Sequence, residues 1–331
     1  MIRFDKLSAA LAAILLLVAV PASAQVYDTF VIPAVGNTGG GGGTVWGTEF
    51  SLFNPQPHTL FVSTTFLPSG LAQGSEVLIE VPSNQTFSVA NIVAEVFGRT
   101  GTGSLLLATF VEDNPHVADP TIVNLSFVVQ TRTYNNASAG TFGQGIPGVI
   151  AGMMDFPTEQ LSAVAVGINS YGSIGVNGFR TNVGALNLGR FEVRVLINVY
   201  DEEGRLVAGD LAFDVPPLAH FQDRLPVNVT RGTIEFFVFD PGANDPENFA
   251  VVFPYASIVD NRSGDGTYVN PVLLASPGYL YGKQAKGIST TEIGKKVDKE
   301  IAKRARDHAE HLGNVRLVPD EHGKLSLEKD F

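Results

Sequence analysis

Cysteine does not occur among the 331 residues. A disulfide framework, a catalytic thiolate and lipid attachment through an N-terminal cysteine are therefore all excluded. Lysine is absent between residues 25 and 282, and that body carries a net charge of −14 within a chain of −11. Nucleic acid phosphates and anionic lipid surfaces both require clustered cations, so neither is expected as a partner. Beyond the first 24 residues no uninterrupted apolar run reaches the roughly 18 residues of a membrane helix, so no membrane insertion is expected. G-x-S-x-G and H-E-x-x-H are also missing, and signals for helices are scarce before residue 286.

The first residues, MIRFDKLSAALAAILLLVAVPASAQ, combine Arg3 and Lys6 with an apolar run from Leu7 to Val20 broken by Ser8. Ala22-Ser23-Ala24 follows, a small-x-small cleavage pattern, and the run is too short to span a bilayer. Residues 1–24 thus read as a secretory signal cleaved near Ala24, with export as the consequence. A secreted chain without cysteine suits a bacterial envelope, periplasmic or extracellular.

High Gly (35) and Pro (19) content in a chain rich in Val, Phe and Thr points to short strands separated by turns. The strands recur. With an offset of 133 residues, GTEFSLFNP meets RTNVGALNL: Phe50 falls on Val183, Leu52 on Ala185 and Asn54 on Asn187. Leu60, Val62, Thr64 and Phe66 then fall on Val193, Val195, Ile197 and Val199, with Glu192, Arg194 and Asn198 between the second set. This period-two alternation predicts antiparallel sheets with one buried face. Pro82 meets Pro216, Gly103 meets Gly232, and Gly140-Thr141-Phe142 meets Gly266-Thr267-Tyr268, the offset drifting as loops change length. The expectation is an all-β chain of tandem immunoglobulin-like β-sandwiches, one over residues 25–153 and one over 154–282. Ile92, Val93 and Val96 of VANIVAEVFG are expected to close one end of the first sandwich as a short helical piece.

FSLFNP, TRTYNNASAGTFGQGIP, FRTNVGALN and YASIVDNRSGDGTYVNP resemble an uncharacterised secreted repeat of environmental bacteria. The resemblance covers nearly all of residues 30 to 275. It implies extracellular sandwich modules and supplies no activity, cofactor or ligand.

Candidate chemistry is sparse. The five glycines at 39–43 run into a strand without lysine, so a phosphate loop is rejected in favour of a flexible hairpin connection. The acidic loops VEDNPHVADP and FDPGANDPENF offer Asp113, Asp119, Asp240, Asp245 and Glu247 as oxygen ligands for Ca²⁺. They lack the spacing of a calcium loop, and ordinary turn chemistry is the better reading, so no cofactor is expected. His58, His116 and His220 lie near turns and read as solvated. Tyr134, Asn135, Asn136, Tyr255, Asn261 and Tyr268 cluster near the last two strands of each copy, where aromatic faces and amides suit a glycan or a partner protein.

Residues 283–331 differ in kind, holding eleven of the 22 Lys and Arg. Ser289 and Glu292 form a capping box, and Ile293, Val297, Ile301 and Ala305 form a narrow stripe on a helix expected to stop at Gly313. A hairpin around Pro319 to Gly323 follows. Mixed charge predicts a weakly packed appendage, and His308 and His311 a solvated face. The function expected from all this is an exported, non-catalytic structural or binding module, with carbohydrate binding as one alternative and a hydrolase with a dispersed site as another.

Overall fold

The computed structural model describes residues 29–70, 73–110, 113–114, 125–137, 140–150, 161–239, 251–275, 301–322 and 324–330. Among them the fold is all-β, with helical structure limited to short pieces. The signal segment and the boundary near residue 153 lie outside the described residues.

The first half contains β1 (Thr29–Gly39), β2 (Val45–Phe53), β3 (Leu60–Pro68), β4 (Ser75–Val81), β5 (Thr86–Val89), β6 (Gly101–Thr109), β7 (Val128–Ala137), β8 (Gly140–Pro147) and β9 (Val149–Ile150). One layer runs β4-β3-β6-β1, with β9 on β1; the other runs β1-β2-β7-β8, with β5 on β2. Strand β1 serves both layers, pairing with β6 as far as Asn37 and with β2 from Thr38. Its register shifts between Ile32 and Val35, where Pro33 has no N–H to donate. Ile32, Phe50, Leu52, Val62, Phe66, Leu105 and Leu107 fill the space between the layers. The π-type turn Ile92–Val96 closes one end, capped by the Asn91 side chain accepting from the Ala94 N–H, with Ile92, Val93 and Val96 buried.

The second half repeats the plan with β10 (Leu161–Gly172), β11 (Gly178–Asn187), β12 (Val193–Tyr200), β13 (Leu206–Val215), β14 (Ala219–Arg224), β15 (Val229–Phe239), β16 (Val252–Asp260), β17 (Gly266–Val269) and β18 (Val272–Ala275). Its order is β13-β12-β15-β10-β11-β16-β17, with β14 on β11 and β18 on β10. Each pairing is that of the strand nine places earlier. Strand β10 turns the corner as β1 does, with a register shift around Gly167, whose φ is +74°.

Side chains repeat as well. Asn54 is fully buried; its amide donates to the carbonyls of His58 (2.8 Å), Val81 (2.9 Å) and Pro82 (3.2 Å), and its Oδ1 accepts from the Gln56 N–H (2.8 Å). Asn187 donates to Phe191 (2.7 Å), Val215 (2.9 Å) and Pro216 (3.2 Å) and accepts from the Gly189 N–H (2.8 Å). In both halves one amide ties the end of the second strand to the end of the fourth.

The tail departs from expectation. Helix α1 covers residues 301–308 and buries Ile301, Ala302 and Ala305 among Val31, Leu106, Leu186 and Leu188. It stops five residues before Gly313 because β19 (Glu310–Pro319) then pairs in parallel with β4, extending the first-half sheet. Gly313, at φ +91°, sits at the break in that register. β20 (Leu325–Asp330) folds back on β19, with Pro319 opposite Leu325. Arg304 donates to the carbonyl of Gly189 (2.8 Å) in the second half, while Arg306 bonds Asp113 and lies over the Phe110 ring in the first. Charges that read as solvated in sequence thus clamp the tail to both halves.

Candidate functional site

The two halves meet face to face. Alternation along β1, β3 and β6 sends Ile32, Phe66 and Leu105 inward and Val31, Leu67, Ser69, Thr102 and Leu106 to the outer face. Against that outer face lies the outer face of the second-half sheet β14-β11-β16, bearing Leu186, His220, Phe253 and Tyr255. One end of this seam is apolar and closed by α1. The middle is polar and the other end is open.

The polar middle centres on His220, which is 1% exposed. Tyr255 donates to Gln222 Oε1 (2.7 Å), so its oxygen accepts from His220 Nε2 (2.7 Å). Nδ1 is then the bare nitrogen and accepts from the Ser69 hydroxyl (2.6 Å), which in turn contacts Thr102 Oγ1 (2.7 Å). The imidazole is satisfied on both nitrogens without charge. Burial pushes its pKa down to about 3 and raises that of the Tyr255 phenol. Gly184, opposite Tyr255, makes room: a methyl there would lie 2.4 Å from the phenol ring. The backbone follows the same path, the Gly70 N–H donating to the His220 carbonyl (3.0 Å).

A serine hydroxyl on a histidine is the geometry of an activated nucleophile. Here the histidine is buried, burial lowers its pKa to about 3, and Nε2 faces a phenol where a triad has a carboxylate. The arrangement acts as a structural tie between the halves.

The open end holds a cavity of about 320 Å³ bounded by both halves. The glycine run forms one wall: Gly41–Gly43 make a 3-10 turn between β1 and β2, and a methyl at Gly40 would lie 2.6 Å from the Trp46 indole nitrogen. The run is a hairpin connection, as expected, but a tight one. Thr133 faces the cavity from the first half and Asn182, Gln222 and Ser257 from the second. Gln144 and Ser257 bond side chain to side chain across the seam (2.9 Å).

Arg180 is the cavity's charged group, 7% exposed. Its Nη1 donates to Asn261 Oδ1 (3.2 Å), and among the described residues it forms no ion pair. Burial first, then the nearby Arg224 charge, lowers its pKa, and Asp260 opposes that shift. Asp260 is itself engaged by the N–H groups of Arg262 (2.8 Å) and Ser263 (2.7 Å).

The tyrosine and asparagine cluster is not an exposed recognition loop. Tyr255 is fully buried in the seam, and Asn261 is buried beneath Arg180, its amide also donating to the Tyr171 carbonyl (3.3 Å). Tyr268 is half-buried, its ring stacked on Tyr255 (5.8 Å) and its buried hydroxyl without a hydrogen-bond partner among the described residues. Burial raises its pKa. Asn135 is buried and accepts from the Val45 N–H (3.2 Å), Tyr134 donates to the Ala90 carbonyl (3.1 Å), and Asn136 alone of the six is exposed. For Tyr255 the cause is that the outer face of β16 is covered by the first half.

Asp113 is bound by Arg306, which anchors the tail to the first half. Asp119, Asp240, Asp245 and Glu247 lie outside the described residues, and no group of three or more potential metal ligands occurs among those described. His220 corrects the solvated reading, His58 keeps a buried Nε2 without a hydrogen-bond partner among the described residues, and His116 is outside the described residues. His308 Nδ1 meets the Arg304 carbonyl (2.8 Å) and His311 meets Glu76, so the two do not converge. Sequence reasoning missed Arg180 and Trp46; the signal was an arginine and a tryptophan at strand positions beside glycine-rich turns.

None of the known protein-family models matches the chain, and no curated protein matches it. No helix among the described residues is long and apolar enough to cross a membrane.

Proposed function

We propose that this is an exported, non-catalytic binding and structural module made of two copies of one sandwich, with its ligand site in the seam between them. The observation that carries the reading is the cavity walled by both halves, lined by amides and hydroxyls and holding a buried arginine that forms no ion pair among the described residues. Duplication is supported by the matched strand pairings and by the twin Asn54 and Asn187 networks. Kinship with immunoglobulin-like domains is supported by two packed antiparallel layers with strands crossing between them. The order β5-β2-β7-β8 of the second layer differs from that of an immunoglobulin constant domain.

Carbohydrate recognition is the second reading, favoured by the amides beside Trp46. The test is a panel of sugars and small metabolites followed by thermal shift, alongside ester, peptide and glycoside substrates. At least one ligand is expected to raise the melting temperature while no substrate turns over. Turnover that disappears in Ser69→Ala would contradict the non-catalytic reading.

A further inference from the structure

We propose that the seam cavity binds an acidic monosaccharide of the hexuronic acid class, its carboxylate seated on Arg180. The inference rests on the binding-module reading and names its ligand. Arg180 Nη1 is used by Asn261, while Nε and Nη2 bond to nothing among the described residues. A buried guanidinium without a counter-ion is costly, and a planar carboxylate meets its fork with two parallel charge-assisted bonds. The protein body is acidic overall, and at this spot the charge of Arg224 adds to that of Arg180 while the more weakly felt Asp260 offsets part of it.

The rest of the lining suits sugar hydroxyls. Asn182, Gln222, Thr133 and Ser257 offer donors and acceptors, and Trp46 supplies an aromatic wall. A volume of about 320 Å³ lies at the small end of ligand pockets, which favours one ring over a chain. Inorganic phosphate would satisfy the arginine and leave the amides unused.

Trp46 is the chain's sole tryptophan, so its fluorescence reports the site directly. The purified protein is titrated with galacturonate, glucuronate, galactose and inorganic phosphate. A saturable change is expected with at least one uronate, with galactose and phosphate weaker by about tenfold or more. Arg180→Gln should abolish the response, Arg180→Lys should weaken it, and Asn182→Asp, which sets a carboxylate beside an intact arginine, should also abolish it while leaving the melting temperature near that of the parent. The assignment is overturned if neither uronate gives a saturable change, if galactose or phosphate binds as tightly, or if Asn182→Asp binds normally. A saturable response to galactose with silence toward both uronates overturns the acidic class and leaves the binding module standing.

Discussion

At the residue scale, burial of polar groups decides more than any surface feature. Asn54 and Asn187 each satisfy three carbonyls and one N–H in the interior. Replacing either by alanine strands those groups and is expected to cost about 3 kcal/mol, by a similar amount in both halves, as read from denaturant unfolding. Both asparagines stand out in the sequence because the repeat aligns them. Their partners do not, since backbone carbonyls carry no sequence signature. His220 gives a pH dependence with a definite sign. The unfolded chain takes up a proton near pH 6.5, whereas the folded chain resists until about pH 3. Stability from this group is complete above pH 6.5 and declines as pH falls toward 3, by at most about 1.4 kcal/mol per unit. His220→Gln should flatten the acid limb of the stability profile measured by chemical denaturation.

At the element scale, the alternation of β2, β3, β11 and β12 made the inner faces legible, and Phe50, Leu52, Val195 and Ile197 are buried as the pattern requires. The outer faces were not legible. Period-two patterning marks Ser69, Thr102, Gln222 and His220 as solvent-facing, and only the docking of a second sheet reverses that. The tail misled for a related reason: Glu76, 1% exposed, bonds Ser63 (3.0 Å), His311 and Arg306, so charges that resemble a solvated helix face are the anchors of a docked one. Arg306→Ala leaves Glu76 and Asp113 without this cation and should destabilise the protein by about 3 kcal/mol in denaturant unfolding. Deleting residues 309–331 uncovers the edge of β4, and light scattering should then show more self-association than in the full chain. Gly184→Ala pushes a methyl into the Tyr255 ring and should lower the melting temperature even though glycine in a strand is itself unfavourable.

At the scale of the whole molecule, the two sandwiches share an interior. The face of the second half that corresponds to the docked face of the first carries Glu202 paired with Arg231 where the first has Ser69 and Thr102. Tyr200 and Glu235, bonded to each other (3.1 Å), stand where the first half has Leu67 and Leu106. That face of the second half is therefore charged where the matching face of the first is apolar and docked. The seam between the docked faces holds one apolar cluster drawn from both halves and the tail, the His220 network, and the cavity at its open end. Two halves joined in this way must unfold together. The direct test is denaturant unfolding followed in parallel by Trp46 fluorescence, which reports the first half at the seam, and by far-UV circular dichroism, which reports strands of both. One coincident transition is the predicted result; two separated midpoints would show halves that are merely tethered.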